Sequence, residues 1–157
     1  EVIHSGGPLA PNLGREMERI HPGWSKTPDV ERALDLALIA SDLDTANVGE
    51  SFIELSDSSA RLAGEREMRA GRSLDSVASG APMLGFVTGG QERYFFDLHR
   101  FCSPLGERVY AAGKAANADK VREMSLRLRA EFAERAKDSY SGAAALRAQQ
   151  RVAWDLQ

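Results

Sequence analysis

Two short stretches of the sequence contain residue types that can bind metals or act in catalysis. His99 and Cys102 are three positions apart, which places an imidazole and a thiol one turn apart on a helix. Asp42 and Asp44 flank a leucine, and paired carboxylates are ligands that divalent cations prefer. Both stretches are incomplete as sites. A zinc site needs further Cys or His ligands, and a Cys–His catalytic pair needs a third group that orients the histidine.

We therefore expect structural roles for both stretches. For the first, we expect a buried Cys102 and a His99 that faces solvent or a partner. For the second, a helix would direct the two carboxylates about 200° apart, so Asp42 and Asp44 should form a solvated helix end. The sequence contains no phosphate-binding loop, no GxSxG and no HExxH motif. These observations favour a protein that is not an enzyme and has no metal or cofactor. An enzyme that uses two convergent carboxylates is the remaining catalytic alternative, although no spacing in the sequence predicts that convergence.

The composition restricts the classes of partner. The chain of 157 residues has a net charge of −3 and one cysteine, which excludes an internal disulfide framework. Residues 114–157 carry nine Lys or Arg against six Asp or Glu, whereas residues 1–113 carry eleven against seventeen. An acidic chain with glutamates among its C-terminal arginines argues against nucleic-acid binding. No apolar run approaches the roughly 20 residues that a membrane-spanning helix needs. The chain begins at Glu1 rather than Met, which indicates either a processed mature form, in an organelle or an exported compartment, or a chain trimmed at its start.

One stretch, residues 118–138, has the pattern of a long amphipathic helix. Val121, Met124, Leu128 and Phe132 recur every three or four residues, and no Gly or Pro interrupts them. This stripe predicts the central helix of an all-α protein, with Asn117 as a candidate cap. The other predicted helical segments are 12–20, 27–47, 50–70, 73–78, 91–102, 103–113 and 143–156.

The expected architecture is an irregular bundle of about four to six helices. Repeated Pro and Gly within residues 1–26 predict an extended N-terminal arm, and residues 27–157 predict one helical domain. Gly113 is the expected end of the helix that begins after Ser103. The glycine-rich stretch 71–90 predicts a short helix followed by an apolar loop, which is packed against the bundle or exposed to a partner.

These features suggest two functions. The first is an accessory or assembly subunit that docks on other protein subunits of a larger complex through its arm and apolar loop, including a complex associated with a membrane. The residues expected to contact such partners are Trp24, Met83, Phe86 and Trp154. The alternative is an exported helical-bundle sensor that binds a small ligand or pigment in a closed pocket near residues 94–101, where aromatic side chains cluster.

Overall fold

The computed structural model of the chain describes residues 13–157, which form helices joined by turns and contain no strand within that range. The predicted all-α fold is therefore confirmed. The first twelve residues of the predicted arm lie outside the described residues. The α-helices are α1 (Leu13–Ile20), α2 (Pro28–Asp44), α3 (Phe52–Arg69), α4 (Gly80–Gly85), α5 (Pro104–Phe132) and α6 (Gly142–Asp155).

Short 3-10 turns and π-helical segments join these helices. The 3-10 turns are Trp24–Lys26, Ala46–Gly49 and Val77–Ser79. The π-helical segments are Phe86–Gly90 and Arg93–Leu98, and we call residues 86–98 the π stretch. π-Helical turns are rare and frequently occur at functional sites, so this stretch marks a region of interest.

The start of α3 shows how local sequence sets a helix boundary. The Ser51 hydroxyl accepts a hydrogen bond from the Glu54 backbone N–H, and the Glu54 carboxylate accepts one from the Ser51 N–H. This capping box satisfies two N–H groups that would otherwise lack partners in the first turn. The segment predicted over 50–70 accordingly becomes a helix over Phe52–Arg69.

Helix α5 carries the central apolar stripe but is longer at its start than predicted. Val121, Met124, Leu128 and Phe132 are buried in the core as expected. Gly113 does not end a helix, because α5 runs unbroken from Pro104 to Phe132. A side chain at Gly113 would overlap the backbone of Gly49, so this glycine allows α5 to lie directly against the Ala46–Gly49 turn.

Asn117 illustrates a second correction in α5. It does not cap a helix start but lies inside the helix, buried, where its side-chain amide donates to the carbonyls of Val48 and Glu50. These bonds, 3.0 and 2.9 Å long, satisfy carbonyl groups of the turn that precedes α3. Asn117 therefore holds α5 and the start of α3 together.

The glycine-rich stretch is helical rather than a loop. The short helix predicted over 73–78 is displaced to a 3-10 turn at Val77–Ser79, which the Ser76 hydroxyl caps. Helix α4 and the π stretch follow directly, and Met83 and Val87 are buried in the core. The His99 N–H bonds the Tyr94 carbonyl five residues earlier, which is the wide spacing of a π-helix.

The hydrophobic core lies where α3, α4, α5 and α6 meet. Its fully buried large side chains include Phe95, Leu55, Met83, Met124 and Leu128. Gln149 on α6 is also fully buried, and its amide donates to the Ser56 carbonyl of α3 at 3.2 Å. Helix α2, in contrast, contributes only Ser41 and Asp42 as buried residues, so most of its length packs lightly.

Candidate functional site

A cleft of about 640 Å³ opens between α3 and the π stretch. One wall is a face of α3, the other is a face of the π stretch, and the end of α2 closes one side. The lining residues are Ser58, Ser59, Leu62 and Arg66 of α3, Phe86, Gly90, Gln91, Tyr94 and Leu98 of the π stretch, Asp44 at the end of α2, and Thr45 and Asn47 just after it. The mixture of apolar walls and few polar groups is typical of small-molecule sites.

One end of the cleft contains a stacked cation. The guanidinium of Arg66 lies over the ring of Phe86, 4.8 Å from its centroid. Arg66 forms no salt bridge with another described residue, although it lies near enough to Glu67 to lower the pKa of that carboxyl. Most of that lowering comes from Arg72, whose guanidinium donates to Glu67. The aromatic ring therefore positions Arg66 while its N–H donors remain available to an anion.

The middle of the cleft has a fixed polar group. The Ser59 hydroxyl donates to Oε1 of Gln91 at 2.9 Å, and both side chains are buried. This bond holds the Gln91 side chain in place beside the cleft. The amide nitrogen of Gln91 has no hydrogen-bond partner among residues 13–157 and belongs to a residue that lines the cleft. A bound molecule with an acceptor oxygen would find a preorganised donor here.

The opposite end of the cleft leads to Tyr94 and Thr45. Burial, with a contribution from Asp44, raises the pKa of Tyr94 to about 12, so its phenol is neutral at physiological pH. The Tyr94 ring packs edge-on against the ring of His99, with centroids 5.7 Å apart. The Thr45 hydroxyl lies 3.1 Å from Nε2 of His99 and donates to the Ser41 carbonyl. Two cleft residues therefore contact a histidine that lies behind the cleft.

His99 is fully buried in a hydrogen-bonded network. The ammonium of Lys114 lies 3.0 Å from Nδ1 of His99 and also donates to the His99 carbonyl. An ammonium has no acceptor, so Nδ1 must accept, and the proton of the neutral ring is on Nε2, from which it is donated to Thr45. Burial and the adjacent Lys114 charge lower the pKa of His99 to about 4. Burial and Arg100 also lower the pKa of Lys114.

Asp42 joins the end of α2 to the start of α5. Its buried carboxylate accepts from the backbone N–H groups of Cys102 and Ser103 at 2.7 and 2.8 Å and from the Ser103 hydroxyl at 2.6 Å. The Ser103 oxygen in turn caps α5 by accepting from the Gly106 N–H. A side chain at Gly106 would overlap the Asp42 carboxylate, so the glycine makes room for it.

The structure therefore places the two stretches that contain metal-binding or catalytic residue types differently from the prediction. Asp42 is buried rather than solvated, because it satisfies N–H groups about sixty residues away in the chain. His99 is buried and Cys102 is partly exposed, the reverse of the expected arrangement, because the helix ends at Leu98 rather than continuing to Cys102. Asp44 is exposed at the rim of the cleft. The sequence analysis missed Thr45, Gln91 and Lys114, whose roles depend on partners far from them in sequence.

The four residues predicted as partner contacts lie in different environments. Trp24 is half-buried and donates its indole N–H to the Gly14 carbonyl. Met83 is 1% exposed in the core, where it presents almost no surface to a partner. Phe86 lines the cleft beneath Arg66, and Trp154 is 64% exposed near the end of α6. Of the four residues, Phe86 is the one that lines the cleft.

Comparison of the chain with protein-family models, with curated protein sequences and with solved structures found no match. Among residues 13–157, no helix is long and apolar enough to cross a membrane. The same residues contain no group of three or more His, Cys, Asp or Glu side chains that could hold a metal ion.

Proposed function

We propose that the protein binds a small apolar molecule with an anionic group in the cleft between α3 and the π stretch. This is the sensor alternative of the sequence analysis, with the ligand class defined by the cleft. Arg66, held over Phe86 at one end of the cleft, is the observation that carries the proposal. A cation whose donors are available, at the end of an apolar cleft, favours a carboxylate, sulfonate or phosphate on the ligand.

The remaining lining groups fit the body of such a ligand. Leu62, Leu98 and the ring of Tyr94 offer apolar contact, and the Gln91 amide offers a single directed donor between the ends. Between Ser58 and Arg66, α3 rises by roughly 12 Å, which matches the length of two or three fused or linked rings. The cleft therefore suits a flat molecule with its anion at Arg66 and its rings toward Tyr94.

Binding without catalysis is favoured by the state of the nearby titratable groups. His99 lies behind the cleft and is hydrogen-bonded to Lys114 and to Thr45, and the Tyr94 phenol is neutral. The Thr45 hydroxyl lies beside His99, but it accepts a hydrogen bond from Nε2, so the ring does not take a proton from Thr45. Signalling or transport of the ligand is consistent with this arrangement, because neither requires a reactive group.

Isothermal titration calorimetry with 2-naphthoate tests the proposal directly. For a molecule of about 13 non-hydrogen atoms we expect a dissociation constant of roughly 0.1–1 mM. The neutral analogue 2-naphthylmethanol should bind about tenfold more weakly, because it lacks the charge that Arg66 recognises. The Arg66→Gln variant should remove that difference between the two compounds.

The matched control is Arg69→Gln, since Arg69 is also exposed on α3 but does not line the cleft. It should bind 2-naphthoate as the wild type does. If neither compound binds saturably, or if Arg66→Gln weakens both compounds equally, the proposal is wrong.

Trp154 supports a second proposal, that the protein docks on other subunits of a larger complex. A tryptophan 64% exposed on a helix is an unusual surface residue and an effective anchor for a protein interface. The proposal predicts that the native protein in an extract of its own cells migrates far above the 17.1 kDa of one chain. Trp154→Ala should reduce that mass, whereas Leu126→Ala, at an equally exposed position on α5, should not. A native particle no larger than two chains would contradict docking on a complex.

A further inference from the structure

A pocket of about 350 Å³ lies between α5 and residues 95–101, and we call it the aromatic pocket. Three alanines of α5 line it, together with three aromatic and three charged side chains, which are those of Phe95, Phe96, Phe101, Arg100, Glu107 and Lys114. None of its lining residues also lines the cleft between α3 and the π stretch. The aromatic pocket is therefore a separate place for a ligand, with apolar walls and an amine among its polar groups.

His99 holds the amine of Lys114 in place. Nζ lies 3.0 Å from Nδ1 of the His99 ring and 3.0 Å from the backbone carbonyl oxygen of the same residue. The amine can donate one N–H to each acceptor, which leaves the fourth position of its tetrahedral nitrogen for a third proton or a lone pair. Both acceptors serve the neutral amine as well as the ammonium. Lys114 is therefore a positioned amine that becomes a nucleophile when it loses its third proton.

We infer that Lys114 is a covalent binding site for an aromatic aldehyde that carries an anionic group. The aldehyde enters the aromatic pocket, and the lone pair of Nζ attacks its carbonyl carbon. A C=N bond replaces the C=O bond, and the two hydrogens of the neutral amine leave with the carbonyl oxygen as water. The imine that forms needs no oxidant or reductant, and water reverses the reaction.

The walls of the aromatic pocket suit a ring. The rings of Phe95 and Phe96 meet edge to face, with centroids 5.0 Å apart, and Phe101 packs edge-on against His99 at 4.7 Å. A ligand ring beside them gains the same kind of aromatic contact. The three lining residues of α5 with small side chains are spaced three and four positions apart, so they share one helix face and leave this space open: Ala111, Ala115 and Ala118.

Arg100 determines the charge that the ligand carries. Its Nη1 donates to the carbonyls of Phe96 and His99 at 3.2 and 2.8 Å, and its other N–H groups have no partner among residues 13–157. These donors can bind a carboxylate, sulfonate or phosphate. Lys114 and Arg100 donate to the same His99 carbonyl, so the two nitrogens lie within about 6 Å of each other. An anionic group meta to the aldehyde on a benzene ring fits that separation.

The surroundings of Lys114 increase the fraction of the neutral amine. Burial and the guanidinium of Arg100 lower the pKa of Lys114, and the carboxylate of Glu107 opposes them only in part. The ring of Phe95, whose centroid lies 5.3 Å from Nζ, also attracts the ammonium. No salt bridge joins Lys114 to a carboxylate in the described part of the chain. Partial burial beside a second cation is an arrangement that activates a lysine for imine formation.

Reductive trapping of the full chain with 3-formylbenzoate and cyanoborohydride at neutral pH tests the inference. Cyanoborohydride converts the imine to a stable amine, and peptide mass spectrometry then gives the labelled fraction at each lysine. The other lysines of the chain, Lys26, Lys120 and Lys137, are internal references. Lys114 should be labelled about tenfold faster than the more exposed Lys26 and Lys137, because the pocket holds the aldehyde beside the amine. Unfolding in urea should abolish this preference.

Substitution of Arg100 tests the anionic group. In Arg100→Gln, labelling of Lys114 by 3-formylbenzoate should fall about fivefold more than labelling by neutral benzaldehyde, which lacks the carboxylate. Arg93→Gln is the matched control, since Arg93 is also exposed but does not line the pocket, and it should be labelled as the wild type is. Arg66→Gln removes the cation of the cleft and should also leave Lys114 labelling unchanged. The proposed function and this inference are therefore tested separately.

Three results would overturn the inference. The first is that Lys114 in the folded chain is labelled no faster than Lys26 and Lys137. The second is a preference for Lys114 that persists in urea, because local sequence rather than the pocket would then be its cause. The third is an equal loss of labelling with both aldehydes in Arg100→Gln, because Arg100 would then not recognise the carboxylate and the assigned ligand class would be wrong.

Discussion

Protonation of His99 should destabilise the fold, and the size of this effect follows from its environment. The neutral ring accepts from Lys114 at Nδ1 and donates to Thr45 from Nε2. A second proton on the ring would remove the acceptor of Lys114 and place two positive charges about 3 Å apart in the interior. Arg100 adds to this repulsion, whereas Asp42 and a backbone hydrogen bond of His99 oppose the lowering of the pKa.

The direction of the pH dependence follows from linkage. The pKa of His99 is about 4 in the folded protein, against an ordinary value of 6.5. Between these values the unfolded chain binds more protons than the folded chain, so stability falls as the pH falls. The loss begins near pH 6.5 and is complete near pH 4. Over this window a pKa change of this size corresponds to roughly 3 kcal/mol.

Urea unfolding at a series of pH values, followed by circular dichroism, measures this loss. The His99→Gln variant has no titrating group at this position, so its stability should depend less on pH between 4 and 6.5. The difference between the wild-type and variant free energies of unfolding should shrink by roughly 3 kcal/mol across that window. His21→Gln, at an exposed histidine, is the control and should keep the wild-type profile. Parallel profiles for the wild type and His99→Gln would refute the network described above.

Four further substitutions test contacts that position the site. Asp42→Ala should lower the free energy of unfolding by about 3–5 kcal/mol, because it leaves the Cys102 and Ser103 N–H groups unsatisfied. A loss below about 1 kcal/mol in urea unfolding would contradict the role of Asp42 in joining α2 to α5. Asn117→Ala should lower the free energy of unfolding by about 2–3 kcal/mol in the same assay, because it removes two buried hydrogen bonds. An unchanged urea midpoint would contradict this role of Asn117. Gly113→Ala should lower the melting temperature despite the better helix propensity of alanine, because Cβ would overlap the Gly49 backbone. Gly85→Ala should instead raise the melting temperature, because a Cβ at this position meets no neighbouring atom. Equal shifts in the two variants would contradict the close approach of Gly113 to Gly49.

The sequence predicted those elements whose signals are local. The stripe of Val121, Met124, Leu128 and Phe132 is an unbroken helical repeat, and no tertiary contact was needed to identify its buried face. Pro28 after Thr27 likewise marked the start of α2, although the Thr27 side chain forms no capping bond.

The errors arose where a partner distant in sequence decides the outcome. Glycine signals a helix end as readily as a close approach, and only the position of Gly49 shows that Gly113 belongs to the second case. His99 is buried because Thr45, 54 residues away, and Lys114 satisfy both ring nitrogens. No local sequence pattern predicts that His99 will pair with Thr45 and Lys114.

The candidate site was anticipated only in part. A pocket near residues 94–101 was expected from aromatic spacing, and the cleft does include Tyr94 and Leu98. The π-helical geometry has no sequence signature comparable to a helical stripe, so the wall containing Phe86 and Gln91 was not foreseen. The role of Arg66 depends on its stacking on Phe86, 20 positions later in the chain.

The most direct test of the central claim is to map the ligand onto the structure by nuclear magnetic resonance. Titration of the isotopically labelled full chain with 2-naphthoate should produce saturable amide shifts concentrated at Ser59, Leu62, Gly90 and Gln91, which line the cleft. Shifts concentrated on α6, or the absence of any saturable shift at these four residues, would contradict the claim that the cleft between α3 and the π stretch is a binding site.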